Sequence, residues 1–177
     1  MTAEPAEMVE RQGFVPRKQL LLHNPPLSYG DCQRTCLAMV LGLESSEVPH
    51  FGDEHLFALD ETRAAERAWL ASLGLGYVQM PISGQWGWPF VEGLLAQQYG
   101  TPVIVSGKSP RGHWNHDVVW LDGVIYDPHP DDTGLEGPCI DKANPDEPRW
   151  YWINALCPLP GWLSRRLSPP AGEGGGR

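Results

Sequence analysis

The chain has 177 residues, enough for one compact domain with a real core and too few for two, with 41% apolar and 20% charged residues. Its formal charge of −9, from 22 acidic and 13 basic residues, argues against a nucleic-acid backbone or an anionic membrane as main partner. No apolar run approaches the roughly 20 residues of a membrane span, and the acidic start "MTAEPAEMVERQGF" lacks the basic and apolar regions of a secretory signal. The expected location is therefore cytoplasmic. There Cys32, Cys36, Cys139 and Cys157 are expected to stay reduced rather than to form a disulfide scaffold.

Residues 1–19 are mixed and polar and are expected to form a flexible arm. The Pro/Gly-rich stretch 164–177 is expected to be a disordered tail. One domain should span 20–163. "CQRTCLAMVLGL" carries good helix formers, has Asp31 available as a cap, and stops at Gly42. "ETRAAERAWLASLG" sets Ala65, Ala68, Trp69, Ser72 and Leu73 on one stripe at helical spacing and ends at Gly74. In "GQWGWPF", Trp86 and Trp88 would either wall a peptide groove or anchor a loop on the core. "PFVEGLLAQQYG" starts a helix with Pro89, tolerated in the first turn, and ends at Gly100.

From Thr101 the pattern changes to strands. "TPVIVSG" is a short continuous apolar run, the mark of a strand buried on both faces. "HDVVWL", "DG" and "VIYDP" form a hairpin signal around a two-residue Asp-Gly turn, and "RWYWINAL" alternates as a further strand. Helices first and antiparallel strands after give an α+β arrangement, N-terminal helices packed on a C-terminal antiparallel sheet.

If Asp122-Gly123 is the turn, Leu121 pairs with Val124, Trp120 with Ile125 and Val119 with Tyr126. Side chains alternate along a strand, so His116, Val118 and Trp120 share a face with Ile125, Asp127 and His129. His116 and Asp127 are then diagonal neighbours, and Asp117 points the other way. A carboxylate holding an imidazole that faces a thiol is an orienter–base–nucleophile set. A helix start suits the thiol, because the partial positive charge there and a nearby imidazolium favour the thiolate. Cys32 is the cysteine so placed.

The segment "DCQRTCLAMVLGL" resembles the nucleophile region of papain-like cysteine peptidases, closest to the double-glycine leader peptidase domains of bacteriocin-exporting ABC transporters and their stand-alone relatives. Asp31, Cys32, Cys36, Leu37, Ala38 and Met39 stand in register with the family's Asp-Cys-Gly followed by Cys-Leu-Ala-Met, and "HDVVWLDGVIYDP" matches its later His strand, turn and Asp-Pro strand. The resemblance implies a papain-like fold and thiol-dependent hydrolysis of peptide, isopeptide or amide bonds, with Cys32 as nucleophile, His116 as base and Asp127 as orienter. Two positions depart from it. The family's oxyanion glutamine, six residues before the cysteine, is Pro26 here, and the glycine after the nucleophile is Gln33. Asn24 and Gln33 are the candidate side-chain donors. Without an accompanying ATPase or membrane segment, export coupled to leader removal is not implied.

The implied partner is a peptide or protein substrate, with no cofactor, no metal, no nucleic acid and no membrane. The same three residues would serve an acyltransferase, a deamidase or a transglutaminase. Two other classes compete: a catalytically silent peptide-binding module, and a zinc site from Cys32, Cys36, His113 and His116. Gly107-Lys108-Ser109 is no phosphate loop, because Pro102 stands where its first glycine belongs and no helix follows. Trp114 and Asn115, beside His116, are cleft candidates along with Trp86 and Trp88. His129, Asp131 and Asp132 read as a solvated acidic loop.

Overall fold

A computed structural model describes residues 13–54, 59–98, 100–141 and 149–160. Among the described residues there are four α-helices, α1 (Cys32–Leu41), α2 (Phe51–Glu54), α3 (Leu59–Ser72) and α4 (Gly87–Leu95). Strands β1 (Leu75–Ser83), β2 (Val103–Lys108), β3 (Asn115–Leu121), β4 (Val124–Tyr126) and β5 (Trp150–Pro158) form one sheet in the order β1-β5-β2-β3-β4. Every strand pairing is antiparallel, so the class is α+β.

The sheet buries both faces. Cys36, Leu37, Ala38 and Met39 of α1 pack with Leu70 of α3 against Ile104 of β2 and Val119 of β3. On the opposite face Val91 and Leu95 of α4 pack with Val103, Val105, Val118, Trp120, Tyr151 and Ile153. The strand period of two sends Ile104 and Val119 one way and their neighbours the other, which is why β2 reads as an unbroken apolar run. Each fully buried side chain of this size contributes about 1.5–3 kcal/mol of apolar transfer. The sheet is thus a rigid platform with α1 set across β3.

Two sequence expectations change, and one strand has no counterpart among them. In α3 the buried positions are Glu66 and Leu70, with Ala65 and Trp69 half-buried, while Ala68, Ser72 and Leu73 face solvent. The stripe was misplaced because a carboxylate occupies its centre, and apolar periodicity does not count it. Strand β1 carried no clear signal: it is an edge strand, with Val78, Gln79, Met80 and Pro81 exposed, and proline is tolerated there. The N-terminal segment joins the domain well before residue 20. Phe14 stacks edge-on to Tyr126 with ring centroids 4.8 Å apart, and the Val15 N–H donates to the Met39 carbonyl at 3.0 Å. Residues 1–12 and 164–177, the rest of the expected arm and tail, lie outside the described residues. Among the described residues no helix is long and apolar enough to cross a membrane.

Gly42 closes α1 at φ +68°, and a Cβ there would meet the Gly13 carbonyl oxygen at 2.2 Å. Both the left-handed backbone and the close approach of the N-terminal segment require glycine. Gly42→Ala should lower stability by about 2 kcal/mol or more, read as a reduced urea midpoint at unchanged slope.

Candidate active site

The site starts at the hairpin. Asp122 (φ +50°) and Gly123 (φ +84°) both adopt left-handed backbone, the pair of conformations that lets a two-residue turn follow strand twist. The register is the one read from the sequence: Leu121 opposite Val124, Trp120 opposite Ile125, Val119 opposite Tyr126. At the far end of this ribbon His116 Nε2 lies 2.7 Å from Asp127 Oδ1, and both side chains are almost wholly buried. Hydrogen bonding to an ionised carboxylate puts the proton on Nε2 and leaves Nδ1 as the basic nitrogen.

Asp127 is heavily solvated by protein. Oδ1 also accepts the His129 N–H at 2.7 Å, and Oδ2 accepts the Gly134 N–H at 2.8 Å and Arg111 Nη1 at 3.3 Å. Burial alone would raise this carboxyl, but the His116 hydrogen bond and the two backbone N–H groups outweigh it and hold Asp127 well below the usual carboxylate range. The stretch 129–134, expected to be a solvated acidic loop, is therefore a clamp. Asp131 accepts from Arg111 at 2.6 Å, and Lys18 reaches the Asp127 and His129 carbonyls as well as Asp132.

Cys32 opens α1, which packs on β3. The backbone N–H groups of Asp117, the residue after His116, and of Gln33 lie near enough to its sulfur to favour the thiolate. Cys32 and His116 line one cavity of about 360 Å³, walled also by Gln19, His23, Asn24, Arg111, Trp114, Asn115 and His129. The Asp31 side chain does not cap α1. It turns to the Leu20 and Leu21 N–H groups and to Arg34, which ties the N-terminal segment down beside the cysteine.

The surroundings of Cys32 work against the activated thiolate expected at a helix start. Burial pushes Cys32 up to about 12, the Asp117 and Asp31 carboxylates add to that, and the two backbone N–H groups only partly oppose it. Nearby negative charge and desolvation outweigh a helix dipole worth about 1 kcal/mol.

The remaining candidates separate. Asn24, Trp114 and Asn115 are at the cavity; Trp114 stacks on His23 with centroids 4.8 Å apart, and the Asn115 side chain is clamped to Ile140 backbone. Gln33 is not: its amide nitrogen donates to Glu66 Oε1 at 2.8 Å, on the wall of a second cavity of about 1050 Å³. Trp86 and Trp88 line neither cavity. Trp86 stacks on Phe90 and Trp88 on Tyr151, so they serve α4 and its packing. The zinc set is not assembled either. Cys36 is sealed in the apolar core, His113 is exposed, and no group of three metal-capable side chains converges among the described residues.

Sequence reasoning missed Gln19, His23 and Arg111. None sits in a periodic element, and only folding of the N-terminal segment and the 109–114 loop onto the ribbon brings them to Cys32. Gln19 Oε1 and Arg111 Nη2 are buried without a hydrogen-bond partner, an acceptor and a donor in the wall residues of the smaller cavity. Glu66 was missed because a buried carboxyl has no sequence signature. It accepts from Gln33 and Tyr77 through one oxygen, and burial lifts it to about 7 despite the Tyr77 hydrogen bond. Comparison of the chain with protein-family models, curated proteins and solved structures gives no match.

Two outcomes follow from these ionisations. Alkylation of Cys32 by iodoacetamide should be slow at pH 7 and rise about tenfold per pH unit to at least pH 10, with no earlier plateau, because the thiolate fraction limits the rate. Glu66 holds its proton more tightly folded than unfolded, so its contribution to stability is full below the ordinary value of 4.5 and is lost as pH rises through about 7. Glu66→Gln keeps the Oε1 acceptor and removes that loss. Chemical denaturation should show the variant more stable than the parent by roughly 2 kcal/mol at pH 8 and little changed at pH 4.5.

Proposed function

We propose that this protein is a papain-like thiol hydrolase that cleaves peptide or related amide bonds through a Cys32 thioester. The observation that carries the reading is the buried His116 Nε2–Asp127 Oδ1 contact of 2.7 Å beside a cavity that Cys32 also lines. With its proton directed to Asp127, His116 presents Nδ1 as an acceptor, the form a base must have to take a thiol proton.

In the proposed reaction His116 Nδ1 accepts the Cys32 proton as sulfur attacks the substrate carbonyl, so the thiolate forms during attack. This suits a thiol that is protonated at neutral pH. The carbonyl oxygen becomes an oxyanion beside the Cys32 N–H, with the Asn24 amide as side-chain donor, since the Gln19 amide nitrogen already donates to the Leu21 carbonyl at 2.7 Å; one such donor is worth about 3 kcal/mol in the transition state. The imidazolium then gives its proton to the leaving nitrogen, the C–N bond breaks, and a thioester remains. Water, activated by the same imidazole, hydrolyses it to a carboxylic acid and restores the thiol. If an amine resolves the thioester instead, the same steps give acyl transfer or transglutamination, and a side-chain amide as substrate gives deamidation.

The raised Cys32 thiol is the observation that favours a second reading, a silent peptide-binding module with the fold and no turnover. A peptide-library digest separates the two. The parent should release new termini and form a mass adduct on Cys32 with a peptide aldehyde. His116→Ala should slow cleavage by roughly 10²–10⁴-fold, and Cys32→Ala should abolish it. Digests identical for the parent and Cys32→Ala would end the hydrolase reading.

A further inference from the structure

Orienting an imidazole requires that the orienting carboxylate itself be held, and here the hold comes from a loop remote in sequence. Arg111 lies in the loop between β2 and β3, and its side chain is 15% exposed. One nitrogen, Nη1, reaches Asp127 Oδ2 at 3.3 Å, Asp131 Oδ1 at 2.6 Å and Thr133 Oγ1 at 2.9 Å. Asp131 is exposed but fixed locally: its Oδ1 accepts the Thr133 N–H at 3.2 Å and hydroxyl at 3.0 Å, and also lies 2.8 Å from His129 Nδ1. Although its desolvation works the other way, the Thr133 hydrogen bonds and Arg111 bring the Asp131 carboxyl down to about 2, so the anion facing Arg111 persists across neutral pH. The guanidinium thus spans two carboxylates, one on the loop and one facing His116.

We infer that Arg111 is a positioning residue for His116, acting through Asp127: it pins Oδ2 from the side opposite the imidazole while Oδ1 stays aligned on His116 Nε2. The inference rests on the reading of His116 as the base, because only a base needs its free nitrogen kept in one tautomer and one direction. Without Arg111 the carboxylate keeps the His129 and Gly134 N–H groups and loses a cationic side-chain support. Both remaining donors sit on the loop that Arg111 anchors, so the loop and the carboxylate loosen together. A carboxylate free to rotate about its Cβ–Cγ bond presents Oδ1 to Nε2 only part of the time, and the imidazole then samples the tautomer with its proton on Nδ1.

The charged and titratable groups around His116 are Cys32 on α1, His23 from the N-terminal segment, Asp117 on its own strand, Asp127 and His129 on the clamp, and Arg111. Of these, Asp127 is hydrogen-bonded to the imidazole, and Arg111 is the cation bound to Asp127. Tautomer and proton exchange at His116 therefore read this pair directly.

The test is nitrogen-15 NMR of histidine-labelled full-length protein at pH 8. The parent should show His116 as a single Nε2–H tautomer with a slowly exchanging proton. Arg111→Met should mix the tautomers and speed Nε2–H exchange at least tenfold, and Arg111→Lys should recover part of that protection by restoring a cation. Lys108→Met is the structural control, because it breaks the Lys108–Glu136 ion pair on the same loop system without touching Asp127. It should leave the His116 signals as in the parent. An Arg111→Met protein with an unchanged, protected Nε2–H overturns the inference and leaves the proposed chemistry standing, as does a Lys108→Met protein as perturbed as Arg111→Met. A parent already showing mixed tautomers overturns the His116–Asp127 reading, and the inference with it.

Discussion

The contact between His116 and Asp127 is only as good as the register of the ribbon that carries it. A slip of one residue between β3 and β4 would send His116 to one face and Asp127 to the other. What prevents the slip is a turn two residues long, closed by Asp122 and Gly123 in left-handed conformations, together with the opposite burial demands of Val118, Val119 and Trp120. Shifting the strand would drive Val118 and Trp120 into the α1 cluster and Val119 into the α4 cluster, and each side chain forced into a packed site of the wrong size costs about 1–3 kcal/mol. Local turn chemistry and the double-sided core specify the same register, and the histidine–carboxylate pair depends on both.

Around that pair the protein invests in polar satisfaction. Asp127 has four donors, and the ends of the site are tied together by Lys18 and Arg111, which come from segments far apart in the chain. On the opposite face of β3 the environment inverts. Asp117 is raised by burial, although a Ser106 hydrogen bond and the nearby His116 work against this, and Glu66 is raised to about 7. These carboxyls sit on the walls of the larger cavity, which shares Trp114 and Asn115 with the smaller one. One strand thus separates a carboxylate held ionised from carboxyls pushed toward their neutral form, and Cys32 lies at the boundary. Burial, with Asp117 second, raises its thiol, and this makes proton removal by His116 a required part of the proposed attack rather than a settled prior equilibrium.

Much of the frame could be read from residues alone, wherever the signal is local. Helix α1 ends at Gly42 because a left-handed cap asks for glycine, and the hairpin forms at Asp-Gly because no other pair there adopts both positive φ values so cheaply. Strand alternation then carries His116 toward Asp127. What stayed open shares a cause. Trp86 and Trp88 read equally as groove walls or as loop anchors, since an aromatic residue in a glycine-rich loop has the same composition whether it faces a ligand or packs on Phe90 and Tyr151. Gln33 looked like an oxyanion donor because its partner, Glu66, is 33 residues away and invisible to spacing.

The sequence by itself determined the α+β class, the ribbon register and the approach of His116 to Asp127, since each follows from backbone preferences and a strand period of two. Tertiary structure alone decided the protonation of Cys32, the commitment of Gln33 to Glu66 and the pinning of Asp127 by Arg111. Those outcomes depend on desolvation and on which charges meet across distant segments, quantities that arise only once the chain has excluded water from its interior.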